Sequence, residues 1–198
     1  MTIGVVGGAV YHRCMPRLLL AALAAAYLVL VGAAVRAAQD DPRLAALFDK
    51  LKSGSDEEAR ATEREIWQIW VAHKNPEIAR LMQHGMAALN EDDAQEALDT
   101  FGQVVRADKA FAEGWNKRAT VEFMMGDFDA SVADIERTLA LEPRHFGALS
   151  GLGQIYLAMN KKALALKAMR AALAVDPHLD GVREKVDELK KELEGSPI

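Results

Sequence analysis

The stretch AEGWNKRATVEFMMGDFDASVADIERTLALEPRH, residues 112–145, runs directly into FGALSGLGQIYLAMNKKALALKAMRAALAVDPHL, residues 146–179. Laid one over the other, the two segments agree in kind at fixed offsets. Ala119 falls on Gly153, Ser131 on Ala165, Ile135 on Met169, Leu139 on Leu173 and Pro143 on Pro177. The same step carries back to residues 78–111, where Gly85, Ala97, Phe101 and Val105 occupy the corresponding places. Small residues recur where small ones are wanted and large apolar ones where large ones are wanted. A unit of this length cannot bury its apolar face alone, so neighbouring units must stack.

The apolar spacing after residue 38 is helical, with no alternation of the kind a strand needs. Each unit reads as helix, short turn, helix: 78–90 and 93–107, then 112–125 and a second helix ending before Pro143, then 146–159 and 162–175. Turns fall at Asp92-Asp93, Gly126-Asp127 and Asn160-Lys161. The predicted fold is all-α, a right-handed α-solenoid of helix-turn-helix repeats. Residues 179–193 place Val182, Val186, Leu189 and Leu193 on one face and charges on the other, as a terminal capping helix requires. Upstream, helices over 42–52 and 56–73 carry Ile66, Trp67, Ile69 and Trp70 and read as a degenerate fourth hairpin serving as the N-terminal cap. The step from Ala59 to Ala97 is 38 residues, so its register is slipped. The resulting divisions are 1–37, 38–77, 78–111, 112–145, 146–179 and 180–198.

Residues 18–35 form an almost unbroken run of Leu, Ala and Val behind Met15-Pro16-Arg17, with small residues before Gln39-Asp40-Asp41. This is the pattern of a secretory signal peptide, with cleavage expected after Ala37 and Met15 as the true first residue. The alternative is an uncleaved anchor through residues 18–35, near the lower length limit for a bilayer span. An exported, periplasmic location follows from the first reading, a membrane-anchored one from the second. Removing residues 1–37 takes away Arg13, Arg17 and Arg36 and no acid, moving the net charge from −5 to −8. It also removes Cys14, the single cysteine. An acidic chain without a basic stripe argues against nucleic acid as a partner, since phosphates need Lys and Arg.

The middle unit resembles the tetratricopeptide repeat, with Trp115, Ala119, Gly126, Phe128 and Pro143 in place. The third unit matches through Leu152, Gly153, Tyr156, Ala165, Ala172 and Pro177, the first through Gly85, Ala97 and Phe101, with Lys109 where the proline belongs. The segments 114–119 and 142–149 are similar to a group of exported bacterial tetratricopeptide proteins. The resemblance implies that Trp115 fills space between successive units. It also implies a concave groove lined by the first helix of each unit. At the matching offsets stand Met82, Met86 and Asn90, then Asn116, Lys117, Thr120, Phe123 and Met124, then Ser150, Gln154 and Leu157. Some of these methionines have a core role as their alternative, Met124 together with Met125 above all. The Lys and Asn clamp with which chaperone-binding members hold a C-terminal carboxylate is absent from Met82, Met86, Asn116, Thr120, Ser150 and Gln154.

Arg118 and Glu122 stand at offsets normally apolar in the family, four apart on one helix. They read as an internal ion pair, with Arg118 as a charged contact for a partner carboxylate as the alternative. Catalysis has no support. His73, His84, His145 and His178 share no metal-ligand spacing, and no nucleophile, base and orienting group can be assembled. No metal or cofactor is expected. The functional expectation is an exported adaptor binding a protein or peptide segment of apolar character in the groove. The alternative is a membrane-anchored structural component of an envelope assembly.

Overall fold

The computed structural model describes residues 38–194; the expected signal peptide at 1–37, with Cys14, Met15 and the run 18–35, lies outside the described residues. After a short 3-10 turn, Ala38–Asp40, come α1 (Arg43–Ser53), α2 (Asp56–Val71), α3 (Pro76–Asn90), α4 (Ala94–Ala107), α5 (Ala112–Met124), α6 (Phe128–Leu141), α7 (Phe146–Ala158), α8 (Lys162–Val175) and α9 (Asp180–Glu194). Among the described residues there is no strand. Helices α3 to α8 form three stacked hairpins, α3–α4, α5–α6 and α7–α8, and α9 packs on α8.

The period of the sequence reappears as backbone geometry. Positive φ occurs at Asp92 (59°), Gly126 (82°) and Asn160 (55°), one at each intra-hairpin turn. Asp, Gly and Asn are the residues that reach the left-handed region at least cost. At each turn the following N–H reaches back to the preceding helix: Asp93 to Ala88, Asp127 to Glu122 and Lys161 to Tyr156, at 2.7–2.9 Å. Helix starts are capped by Asn75, Asp93, Asp127 and His145, each accepting a backbone N–H. Between hairpins, Asp108, Glu142 and Asp176 each accept the N–H two residues on, from Ala110, Arg144 and His178.

Within a hairpin, glycine permits the helices to approach. A Cβ on Gly85 would stand 2.7 Å from the Phe101 ring, and one on Gly153 would stand 2.4 Å from Met169 Cγ. In the middle hairpin Ala119 holds the equivalent place, and Ser131 Oγ donates to its carbonyl at 2.7 Å.

The N-terminal pair departs from expectation. Helices α1 and α2 pack on each other, but they do not continue the stack as a fourth hairpin. Their core of Leu44, Leu47, Phe48, Leu51, Ala59, Ile66, Ile69 and Trp70 closes on Phe146 at the start of α7, with Val175 and Leu179 alongside. Helix α2, 16 residues and therefore roughly 24 Å long, lies along the row of inter-hairpin loops. His73, just past its end, meets Asp108 and Phe111; Trp67 and Trp70 meet His145 and Phe146; Asp56 meets His178. The pair is a strap across three loops.

The first hairpin explains why a cap there is dispensable. Its exposed residues include Arg80, Gln83, His84, Asn90, Gln95, Glu96, Asp99, Gln103 and Arg106, and none of its large apolar side chains is exposed. A terminal repeat with a polar outer face ends a solenoid by itself.

Candidate groove between the second and third hairpins

Helices α5 and α7, the first helices of adjacent hairpins, stand side by side over α6. Between them lies a cavity of about 90 Å³ lined by Asn116, Ala119, Thr120 and Phe123 from α5, Ser131 and Ile135 from α6, and Gly147, Gly151, Gln154 and Ile155 from α7. Every lining residue is uncharged. Four of the residues expected from sequence, Asn116, Thr120, Phe123 and Gln154, are thus brought together.

The other expected positions lie elsewhere. Met82 is 1% exposed and belongs to the first hairpin's core with Ile78, Phe101, Phe111 and Val121, so it is corrected from groove to core. The 3-10 turn contributes to this burial: Ala38 packs on the cluster and Gln39 Nε2 donates to the Ala110 carbonyl at 2.7 Å. Met86 is half-buried against the same cluster, and Asn90 is exposed at the end of α3. Ser150 Oγ donates to the Gly147 carbonyl, and Leu157 packs into the cluster formed by α7, α8 and α9. Met124 and Met125 are exposed, so the core alternative for them is ruled out.

Lys117 turns away from the cavity. Its ammonium lies 3.3 Å from Glu113 and 5.6 Å from the centre of the Trp67 ring. Trp67 packs behind the Gly147 wall of the cavity, a contact the sequence reading did not include. Gly147 lines the cavity and also touches the strap, since a Cβ there would lie 2.6 Å from Trp67 Cη2. Gly151, one turn on, would meet nothing within 4 Å. One glycine seats the strap and the other leaves the groove open.

A buried polar network underlies this wall. Ala148 N–H donates to His145 Nδ1 at 3.1 Å, so that nitrogen carries no proton, and Nε2–H donates to Glu113 Oε2 at 2.9 Å. Asn116 Nδ2 donates to the same oxygen at 3.0 Å. Burial alone would raise the Glu113 carboxyl; the His145 hydrogen bond, with Lys117 and Asn116, outweighs it and holds the group below its ordinary value. The Trp70 ring stacks on His145 at 4.1 Å, closing the network from the strap side. The bond of His145 to Glu113, 32 residues away, had no local signature in the sequence.

On the hairpin's other side Arg118 forms a fork with Asp134 of α6, Nε to Oδ2 at 2.6 Å and Nη2 to Oδ1 at 2.8 Å. Glu122 is a weaker partner at 3.5 Å. The internal pair exists, but Asp134 is its main acceptor. Burial first, then the Asp134 and Asp127 charges, push Glu122 up to about 7 against the pull of Arg118. Trp115 does not fill an inter-unit space. It is half-buried, its indole donates to the Lys109 carbonyl at 3.0 Å, and Arg118 lies against its ring at 4.9 Å.

Among the described residues no group of three or more His, Cys, Asp or Glu is placed to hold a metal ion. No described helix is long and apolar enough to cross a membrane. A larger hollow of about 670 Å³ lies between residues 38–43 and the outer side of α2. It is lined by charges of both signs, and Arg43 there is already bonded to Asp41.

Comparison with known proteins agrees with this architecture. The family model of the tetratricopeptide repeat matches residues 147–179. A TPR repeat-containing protein of Rhizobium etli is 37% identical over 155 residues, covering 78% of this chain and 76% of that protein. The fold is shared with the first TPR domain of Spaghetti (RPAP3) bound to an HSP90 peptide, at TM-score 0.57 and 21% identity over 59% of this chain and 92% of that one. It is also shared with MamA, at TM-score 0.57 and 18% identity over 79% and 84% of the two chains. By its three hairpins, their recurring turn geometry and this relative, the chain belongs to the tetratricopeptide repeat proteins.

Proposed function

We propose that the chain is a non-catalytic protein-interaction module that takes a protein segment in the groove between α5 and α7. The observation that carries this reading is the gathering of Asn116, Thr120, Phe123 and Gln154 around one uncharged cavity. Apolar Phe123, Ile135 and Ile155 supply a place for an aliphatic side chain. Thr120 and Gln154, both exposed, offer hydrogen bonds to an extended main chain. A related fold carries a bound HSP90 peptide, which supports peptide recognition as the style of function. The lysine clamp for a terminal carboxylate is missing, so the expected segment is internal and apolar. The run 18–35 and its exit at Ala37 favour an exported adaptor; the same run, left uncleaved, would favour an anchored envelope component.

A photoreactive residue placed at Gln154 tests this in the native host, beside a control at Glu136 on α6. The expected result is a discrete crosslinked partner from position 154 that disappears in Gly151→Trp, where the new side chain starts from a Cβ with no neighbour within 4 Å. Equal crosslinking from Glu136, insensitive to Gly151→Trp, would refute groove binding.

A further inference from the structure

The strap meets the hairpins differently at its two ends. Near its C-terminal end His73 Nδ1 accepts the Asn75 N–H at 3.0 Å and Nε2–H donates to Asp108 at 3.0 Å. His145, in the middle, has the same arrangement with Ala148 and Glu113. In both rings one nitrogen accepts a backbone N–H and the other faces a carboxylate, so both are engaged.

The N-terminal end is built differently. His178 Nδ1–H donates to Asp56 Oδ1 at 2.8 Å, while the His178 backbone N–H donates to Asp176 Oδ1 at 2.9 Å. Asp176 is fully buried, and its Oδ2 has no hydrogen-bond partner. Glu63, about two turns along α2 from Asp56, lies within reach of the Asp176 charge. The cations nearby are Arg64, beside Glu63, and Arg183 of α9, which donates to the Pro177 carbonyl. Asp56 and Asp176 of this junction therefore flank His178, and Glu63 adds a third carboxyl beside Asp176.

We propose that this junction is a proton-operated clasp, which holds α1 and the first turns of α2 on the third hairpin when protonated and loosens them when deprotonated. Burial raises Asp176 above the ordinary carboxylate range, against the pull of the His178 N–H and ring. Burial also raises Glu63, with the Asp176 charge adding to it and Trp67 and Arg64 opposing. A carboxyl raised in the docked state binds its proton more tightly there than when released. Docking is therefore favoured at low pH and weakens as pH rises through the docked value. The clasp does not depend on a ligand in the groove.

Hydrogen-exchange mass spectrometry on the full chain reads the clasp directly. Protection of residues 43–63, corrected for intrinsic exchange and referred to α5–α6, is followed from about pH 4 to about pH 8. The expected result is a fall of about threefold or more with rising pH, flattened in Asp176→Asn and in Glu63→Gln. Asp176→Asn keeps an acceptor for the His178 N–H. If it fails to fold, Glu63→Gln at a half-buried position gives the same reading. A flat profile in the unaltered chain, or an unchanged slope in the variant that folds, would overturn the proposal.

Discussion

The three hairpins and the N-terminal strap are both helical pairs, yet different rules hold them together. In the hairpins each close contact recurs at 34 residues: a small residue at 85, 119 or 153 faces a large one at 101, 135 or 169. In the strap the contacts follow no period. Trp70 stacks on His145, Trp67 meets Gly147, and the cluster around Leu44 and Ile66 reaches across to Phe146 and Leu179. Repetition settles which helices neighbour one another along the stack, but it is silent about an element laid across the stack.

Truncating the strap's anchor should have the largest effect. Trp70→Ala removes a side chain 1% exposed that contacts Phe48, Trp67, His145 and Phe146, and should cost about 3–5 kcal/mol in denaturant unfolding. Exchange protection should fall over α1–α2 before it falls over α5–α6. Trp70→Phe should cost much less, because the indole nitrogen has no hydrogen-bond partner to lose. Gly85→Ala attacks the periodic side of the comparison. Its Cβ would press on the Phe101 ring, and a loss of about 1–3 kcal/mol is expected in the same measurement.

Glu122→Gln should sharpen the picture within the middle hairpin. The folded state raises Glu122 to about 7 from an ordinary 4.5, so it binds that proton more tightly than the unfolded chain does. Stability from this group is present at acid pH and is lost as pH climbs through that interval. The variant should therefore match the parent near pH 5 and be more stable by about 1 kcal/mol near pH 8, read as a pH series of unfolding midpoints. Glu113 has the opposite sign: its lowered value contributes stability above the ordinary carboxylate range that acid removes. The smallest effect is expected at Gly151→Ala, a stabilisation of about 0.5–1 kcal/mol, since helical glycine is costly and no atom opposes a methyl there. A loss of stability at that position would mean the groove is less open than described.

The stack was legible because 34-residue spacing and turn residues such as Gly126 and Asn160 report backbone geometry directly. Part of the groove was legible for the same reason: Thr120 and Gln154 stand at equivalent offsets, and both line it, with Asn116 and Phe123 on the same helix as Thr120. Met82 was misplaced because the offset that lines the groove in the later hairpins is packed into the core of the first, among Ile78, Phe101, Phe111 and Val121. Arg118 showed its neighbour four residues on, but its stronger partner Asp134 lies across a turn, and no helical spacing points there. The strap's docking had one faint sign. Gly147 stands where a helix would prefer almost any other residue, and its explanation is the ring of Trp67.

The central claim is that α2 lies across the inter-hairpin loops as far as the third hairpin and does not cap the first. Nuclear Overhauser spectroscopy tests it without any substitution. The account predicts contacts from the Trp67 proton on Cη2 to the Gly147 α protons, and from the Trp70 ring to the His145 ring. Absence of both, with the two indoles contacting α3 residues such as Arg80 and His84, would place the pair as an end cap and contradict the account.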